Sequence, residues 1–316
     1  MNPIPNDRLD GLNEVFLRCE EENVRLDLFL ATHTSLSRSR AAEIIKENLV
    51  TVNGKNEKKN FLLFPGDEVL ALLPEDKELE AGPENIPLDV VYEDNDLIVI
   101  NKPQGMVVHP APGNPDHTLV NALLFHCRDS LSGINGRLRP GIVHRIDKYT
   151  SGLLVAAKND AAHIGLSELF QKHDFVRKYR AVVYGNLKED SGTVRLAIGR
   201  HRSDRKKMAA YPWDAPNTKN AITHYRVLER FSGYTYVELA LETGRTHQIR
   251  VHMLSLGHPV VDDKLYAPGR KSFGLDGQCL HAKVLEFCHP VTKEEMKFDS
   301  PLPEAFEAIL EKLRKG

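Results

Sequence analysis

The 316-residue chain has only 4 cysteines, Cys19, Cys127, Cys279 and Cys288, scattered without a C-x-x-C pair. That excludes a disulfide framework and a thiolate zinc site, so the four are expected to be reduced thiols. No window approaches eighteen uninterrupted apolar residues, and the stretch MNPIPNDRLDGLNE has neither a basic n-region nor an apolar core. A membrane span and a secretory signal are therefore not expected, and the cytoplasm is the expected compartment. Phosphate-cradling loops of the form G-x-x-x-x-G-K-[ST] or G-x-G-x-x-G are missing. Despite 14 histidines there is no H-E-x-x-H, and His247 and His252 are spaced so that they do not share a helix face. Neither a metal nor a cofactor is expected. Net charge is also nearly absent, with 42 basic against 44 acidic side chains and a formal −2. Spread evenly, that balance would argue against a nucleic-acid binder, which needs Lys and Arg in excess.

The charges are not spread evenly. Pro74 to Pro87, PEDKELEAGPENIP, carries Glu75, Asp76, Glu78, Glu80 and Glu84 with three prolines and little apolar content. It is expected to be an exposed linker. The length suggests two domains, and a hydrophobic content of 41% suffices for packed cores. The expected division is residues 1–73, with a core at about 24–72, the linker 74–87, and a larger domain 88–316.

In the small domain Leu26, Phe29 and Leu30 fall at i, i+3 and i+4, and Ala41, Ile44 and Ile45 repeat the spacing, which predicts two short helices. Asn53-Gly54 after Leu49 to Val52 is a hairpin signal, and Pro65-Gly66-Asp67 turns the chain into Glu68 to Leu72. Arg38 and Arg40 open the second helix and Lys46 lies further along it. In the larger domain, strands at Val90 to Tyr92, Leu97 to Asn101, Tyr179 to Tyr184, Tyr234 to Leu241, Val284 to Cys288 and Glu295 to Phe298 outnumber helices at Asp160 to Lys172, Thr246 to Leu256 and Pro303 to Leu313. Without regular βαβ alternation, the expected class is α+β with a mixed, largely antiparallel sheet flanked by helices.

Two segments carry chemistry. In PGIVHRIDKYTSGLLVAAK, from Pro140, polar residues including His144, Arg145 and Asp147 lie between apolar runs, so a carboxylate is held against buried elements. Taken alone, this segment suits equally a turn whose Asp bonds backbone amides. In ETGRTHQIRVHM, from Glu242, Thr246 is a plausible N-cap, and Ile249, Met253 and Leu256 form a stripe at i, i+4 and i+7. Arg250 is flanked by those core positions, and a partly buried guanidinium calls for a carboxylate. Asp147 is a sensible candidate, although this helix alone suits equally an Arg250 that snorkels to solvent. A third segment, RLAIGRHRSDRKK, gathers Arg195, Arg200, Arg202, Arg205, Lys206 and Lys207 against Asp204, with Tyr211 and Trp213 close behind. Basic runs with adjacent aromatics suit phosphate and base contacts.

In order and spacing, NKPQGMVVHP, GIVHRIDKYTSG, RKYRAVVYG and ETGRTHQIRVHMLSLGHPVVDDKLY resemble the motifs of the RluA-type pseudouridine synthases, and LHAKVLEFCHPVT continues the match. RLDLFLATHTSLSRSRAAEIIKENLVTVNGK through PGDEV resembles the S-four RNA-binding domain. The two together are most similar to the subgroup acting on large-subunit ribosomal RNA. The resemblance implies isomerisation of uridine to pseudouridine, with Asp147 as the catalytic aspartate, Tyr179 as the active-site tyrosine, and Arg250 as the arginine that pairs with Asp147. It makes Arg145 a contact to RNA around the extracted nucleotide, and Arg38, Arg40 and Lys46 phosphate contacts. The basic stretch Arg200, Arg202, Arg205, Lys206 and Lys207 is expected to join them. An ionised Asp can act as nucleophile while the N1 to C1′ bond is open, and a guanidinium within about 4–6 Å favours the ionised form of a carboxylate. The implied partner is structured RNA, either large-subunit ribosomal RNA or an assembling subunit, met by a monomer. The competing readings are a noncatalytic RNA-binding assembly factor and a synthase acting on transfer RNA. Departures are small: Ile146 stands where Leu is usual, Tyr149 where a small polar or acidic residue is common, and Asp116-His117 where a Gly is expected before Thr118.

Overall fold

A computed structural model of the chain describes residues 12–34, 36, 38–74, 81–111, 113–134, 136, 139–172 and 174–316. The chain separates into two compact units, residues 1–78 and 79–316. Most of the acidic half of the expected linker, residues 75–80, lies outside the described residues.

The front unit runs β1 (Leu12–Arg18), β2 (Val24–Arg25), α1 (Leu26–His33), α2 (Arg38–Lys46), β3 (Val50–Val52), β4 (Lys55–Asn56), β5 (Leu62–Leu63) and β6 (Glu68–Pro74). Both helices lie where their apolar spacing puts them, and Leu26, Phe29, Leu30, Ala41, Ile44 and Ile45 are buried in one cluster with Val50, Val52 and Val69. Asn53 and Gly54, both at positive φ (49° and 75°), make the two-residue turn of the β3–β4 hairpin. Strand β1 is an addition to the sequence reading. Its outward Phe16 leaves a weak apolar alternation, but β6 offers it a full antiparallel edge in the sheet order β1-β6-β3-β4.

The larger unit continues with β7 (Val90–Glu93), β8 (Leu97–Lys102), α3 (Leu119–Cys127), β9 (Ser151–Ala157), α4 (Asp160–Lys172), β10 (Phe175–Tyr184), β11 (Ser191–Arg200), β12 (Met208–Tyr211), β13 (Lys219–Phe231), β14 (Tyr234–Leu241), α5 (Gln248–Ser255), β15 (Leu280–Cys288), β16 (Glu295–Asp299) and α6 (Glu304–Arg314). The strands form one mixed sheet of order β12-β11-β13-β14-β10-β15-β9-β8-β7, with β16 added to β15. Every pairing is antiparallel except β9 with β15. Along β8 and β9 the side chains alternate between two cores, as the twofold period of a strand requires. Ile98, Ile100, Leu154 and Ala156 join a cluster containing residues of α3, α5 and α6, and Leu97, Val99, Leu153 and Val155 join one containing Ala162 and Leu166 of α4. Gly152 permits the parallel pairing, since it has φ 109° and a Cβ there would stand 2.2 Å from the Ala282 carbonyl oxygen.

Helix α3 is not evident from apolar spacing because apolar residues run nearly all round it, the exposed Phe125 included. Its start is set by Thr118, whose hydroxyl accepts from Asn121 N while Asn121 Oδ1 accepts from Thr118 N, a reciprocal capping box. Just before it, His117 takes φ 57° where the family resemblance expects Gly, so the turn is kept. Glu84 holds it there, Oε1 accepting from His117 N at 2.8 Å. Asn121 Nδ2 donates to Gly82 O at 2.7 Å, so the C-terminal half of the acidic stretch lies against α3.

Candidate active site

Asp147 sits in the turn before β9, with Thr150 N donating to its carbonyl. The turn is strapped from below by the end of β8. Lys102 is fully buried, and its ammonium donates to the carbonyls of Pro103 (2.8 Å), Met106 (2.9 Å) and Lys148 (3.2 Å), using all three N–H groups next to Asp147. Burial pushes Lys102 down to about 7, with the charge of Asp147 acting against that. Gln104 Nε2 donates to Tyr149 O and Gln278 O, and Gln278 Nε2 to the Thr150 hydroxyl. The Asp147 carboxylate is thus carried on a loop whose backbone is bonded on both sides.

The expected pair forms: Arg250 Nη1 donates to Asp147 Oδ2 at 3.0 Å. Arg250 has a second partner that sequence reasoning missed. Asp263 takes Arg250 Nε at 2.6 Å and Nη2 at 2.8 Å in a bidentate fork, and its own Oδ1 also accepts from Leu265 N and Tyr266 N. Burial works against the charge of Arg250, but Asp263 and Asp147 outweigh it and hold the guanidinium raised. Tyr266 packs its ring under Arg250, 4.9 Å from centroid to guanidinium carbon. The usable signal for Asp263 is Asp262-Asp263 following the apolar HPVV, a carboxylate pair in a frame that should be buried.

Two expectations for α5 need correction. Thr246 is not its cap: the residue before the helix is His247, left-handed at φ 57°, with no side-chain cap bond. The Thr246 hydroxyl accepts from Arg145 Nη2 at 2.8 Å, and the preceding turn is organised by Gln248, whose Oε1 accepts from Arg245 N and the Thr243 hydroxyl. Leu256 is not in the buried stripe, being 39% exposed while Ile249 and Met253 are buried, because the helix ends at Ser255.

Tyr179, on β10, is buried and lines a small pocket with Asp147, Arg250, Arg145 and Ile249. Burial pushes its hydroxyl up, partly offset by Arg177 and reinforced by Asp147. At neutral pH it is a phenol able to donate rather than a base. On one side of Asp147 a groove of about 400 Å3 runs past His109, Tyr149, Lys264 and Gln278. A neighbouring cleft of about 600 Å3, which shares His109 and Arg145 with that groove, is lined by Arg139, Arg145, Arg177 and Arg245.

The basic run is split by the fold. Arg195 lies within β11 with its guanidinium 5.1 Å from the Trp213 ring, and Arg202, Arg205, Lys206 and Lys207 follow in the β11–β12 connection, where Arg200 Nη1 donates to Arg205 O. The hairpin is tied to the site through Met208 N, which donates to the Tyr266 hydroxyl at 2.8 Å. In the front unit, Arg38 is half committed: its Nε donates to buried Asp27, which also takes Arg25. Arg40 pairs with Glu43, and Lys46 is exposed.

Comparison with known proteins shows the family. The family model for RNA pseudouridylate synthase matches residues 96–255, and the S4 domain model matches residues 24–69. The chain belongs to the RNA pseudouridylate synthase family. It is 49% identical over 308 residues to an uncharacterized RNA pseudouridine synthase of Bacillus subtilis, covering 96% of this chain and 100% of that one. It is 42% identical over 303 residues to the ribosomal large subunit pseudouridine synthase D of Zymomonas mobilis, covering 92% and 93%. Among solved structures, the human RNA pseudouridylate synthase domain containing 1 aligns with TM-score 0.56 at 26% identity, over 74% of this chain and 97% of that one. The synthase is accordingly an isomerase with an α+β catalytic fold and an RNA-binding front domain. No helix among the described residues is long and apolar enough to cross a membrane.

Proposed function

We propose that the synthase converts uridines of large-subunit ribosomal RNA to pseudouridine with Asp147 as nucleophile, the target base being flipped out of its stack. The observation that carries this reading is the carboxylate of Asp147 held by Arg250, which is itself clamped by Asp263, beside the buried ring of Tyr179. Because Asp263 neutralises most of the guanidinium's demand, Arg250 orients Asp147 with one bond and leaves its other oxygen for chemistry. Attack at C1′ of the ribose displaces N1 and gives an ester that C5 of the turned uracil then displaces, whereas addition at C6 of the ring lasts while the N1–C1′ bond breaks and the C5–C1′ bond forms, and is then eliminated; in both routes Asp147 is released as a carboxylate and C5 loses its proton. The Tyr179 ring stacks on the flipped base, and its phenol donates to a uracil oxygen, consistent with its raised pKa.

Unstacking the base costs a few kcal/mol, supplied by phosphate contacts elsewhere. Arg145, with Arg200, Arg202, Arg205, Lys206 and Lys207 on the hairpin, and Arg38, Arg40 and Lys46 on α2, supply these. The ribosomal target rests on the relatives named for the large subunit.

The test incubates wild type and Asp147→Asn with unmodified large-subunit rRNA transcript and with transfer RNA, followed by pseudouridine mapping. Expected is conversion at defined rRNA uridines by wild type and loss of on the order of 10⁴-fold or more in the variant, with RNA affinity retained. Product from Asp147→Asn at near wild-type rate sinks the nucleophile, and conversion confined to transfer RNA sinks the target.

A further inference from the structure

The cleft beside the Asp147 pocket contains four guanidinium groups, of Arg139, Arg145, Arg177 and Arg245, and is bounded by His109 and Phe170. Arg177 is the unusual member. Only 9% of it is exposed, yet among the described residues its Nε has no partner and its side chain makes one hydrogen bond, a long one from Nη2 to Glu242 O at 3.4 Å. Its guanidinium rests over the Phe170 ring at 5.4 Å. Burial pushes its pKa down; Tyr179 opposes that and the like charge of Arg245 adds to it. His109 is buried as well, and its Nδ1 is also without a partner. Two nine-tenths buried side chains that line one cleft therefore each keep an inaccessible nitrogen with no partner among the described residues, a costly arrangement unless a ligand in the cleft draws them into a bond.

The ligand must be anionic, because every charge the cleft concentrates is positive apart from Glu242, whose Oε1 is taken by His224 at 2.7 Å. It must also lie next to the target base, since Arg145, Arg177, Gly244 and Arg245 line both this cleft and the Asp147 pocket. An RNA strand whose uridine enters that pocket carries a phosphate on either side of it. We infer that the cleft is a phosphodiester subsite, in which Arg177 and Arg245 hold the backbone phosphate of a nucleotide adjoining the target uridine and His109 contacts that nucleotide. This rests on the Asp147 reading above.

Gly244 supplies a way to test it without removing charge. A Cβ there would meet Arg177 Nη1 at 2.8 Å, whereas its backbone conformation does not itself require glycine. Stem-loops carrying the mapped target uridine are prepared with a single neutral methylphosphonate at each flanking position in turn. One position is expected to lower wild-type affinity and turnover by roughly 10- to 100-fold, as loss of a charge-assisted bond should. Arg177→Gln should be indifferent to the same substitution, and its slope of log affinity against log salt should fall by about 0.7. Gly244→Ala should show the same loss of sensitivity to a smaller extent, and it serves as the probe if Arg177→Gln does not fold. Methylphosphonates that harm wild type and both variants equally, or not at all, overturn the subsite. Asp147→Asn separates the two claims: an inactive variant with no methylphosphonate coupling sinks the subsite alone, while an active one sinks the reading beneath it.

Discussion

Arg250 and Arg177 are almost equally buried, at 7% and 9% exposed, and less than a pocket's width separates the surfaces they line. Their surroundings are opposite. Arg250 has two carboxylates and spends three of its donors on them, whereas Arg177 has one long bond to a carbonyl and an orphan Nε. The first arrangement is complete in the free protein and fixes the position of the Asp147 carboxylate. The second is incomplete and suits a site that gains its partner from the substrate. Burial alone does not distinguish a structural arginine from a binding one; the count of satisfied donors does.

The same substitution at both positions should therefore act with opposite sign. Arg250→Met leaves Asp263, whose side chain is fully buried, charged and without its guanidinium. Chemical denaturation should show a loss of about 3–5 kcal/mol, and pseudouridine formation should vanish with it. A loss under about 1 kcal/mol would break the comparison.

Acid should act next, through the cleft side and the core. Burial pushes His109, His252 and His281 down to about 4 and His144 to about 3, with Arg139 and Arg145 adding to the effect at His109. Above pH 6.5 each is neutral in both states and contributes nothing. As pH falls from 6.5 to 4 the unfolded chain takes up protons that the folded one refuses, so stability drops by up to about 3 kcal/mol per group. Urea midpoints measured across that range should fall, and His109→Gln should flatten part of the fall.

Arg177→Met should do the reverse of its counterpart. Exchanging an unpaired buried charge for an apolar chain should leave the protein more stable by about 1–2 kcal/mol, while RNA binding weakens. Destabilisation on the scale of Arg250→Met would show that Arg177 is structural after all.

The smallest effects belong to the front unit, where charges are exposed. Lys46→Ala should lower the salt slope of RNA binding by less than about 1 and affinity by less than about tenfold. Arg38→Ala should cost stability as well, because its Nε bonds buried Asp27.

Much of this was legible in the residues. The Asn53-Gly54 turn, the strands β7, β8, β10, β14, β15 and β16, and the pairing of Asp147 with Arg250 follow from local pattern or from a simple demand that a buried guanidinium meet a carboxylate, whereas β11, β12 and β13 were not read from the residues. What escaped was set at a distance. Lys102 looks like an ordinary lysine after a strand until three carbonyls, one of them 46 residues on, close around it. Helix α3 has no polar face to give it a period, and Thr246 has the composition of a cap yet serves Arg145.

The sequence by itself determined the family, the candidate aspartate and most of the secondary-structure periods, because these depend on residue type and short spacing. The tertiary structure alone decided which buried charges are satisfied. Asp263 reaches Arg250 and no carboxylate of the described residues reaches Arg177, a difference that arises only when β10, α5 and the loops after it are packed together and each donor either finds an acceptor or is left open for one.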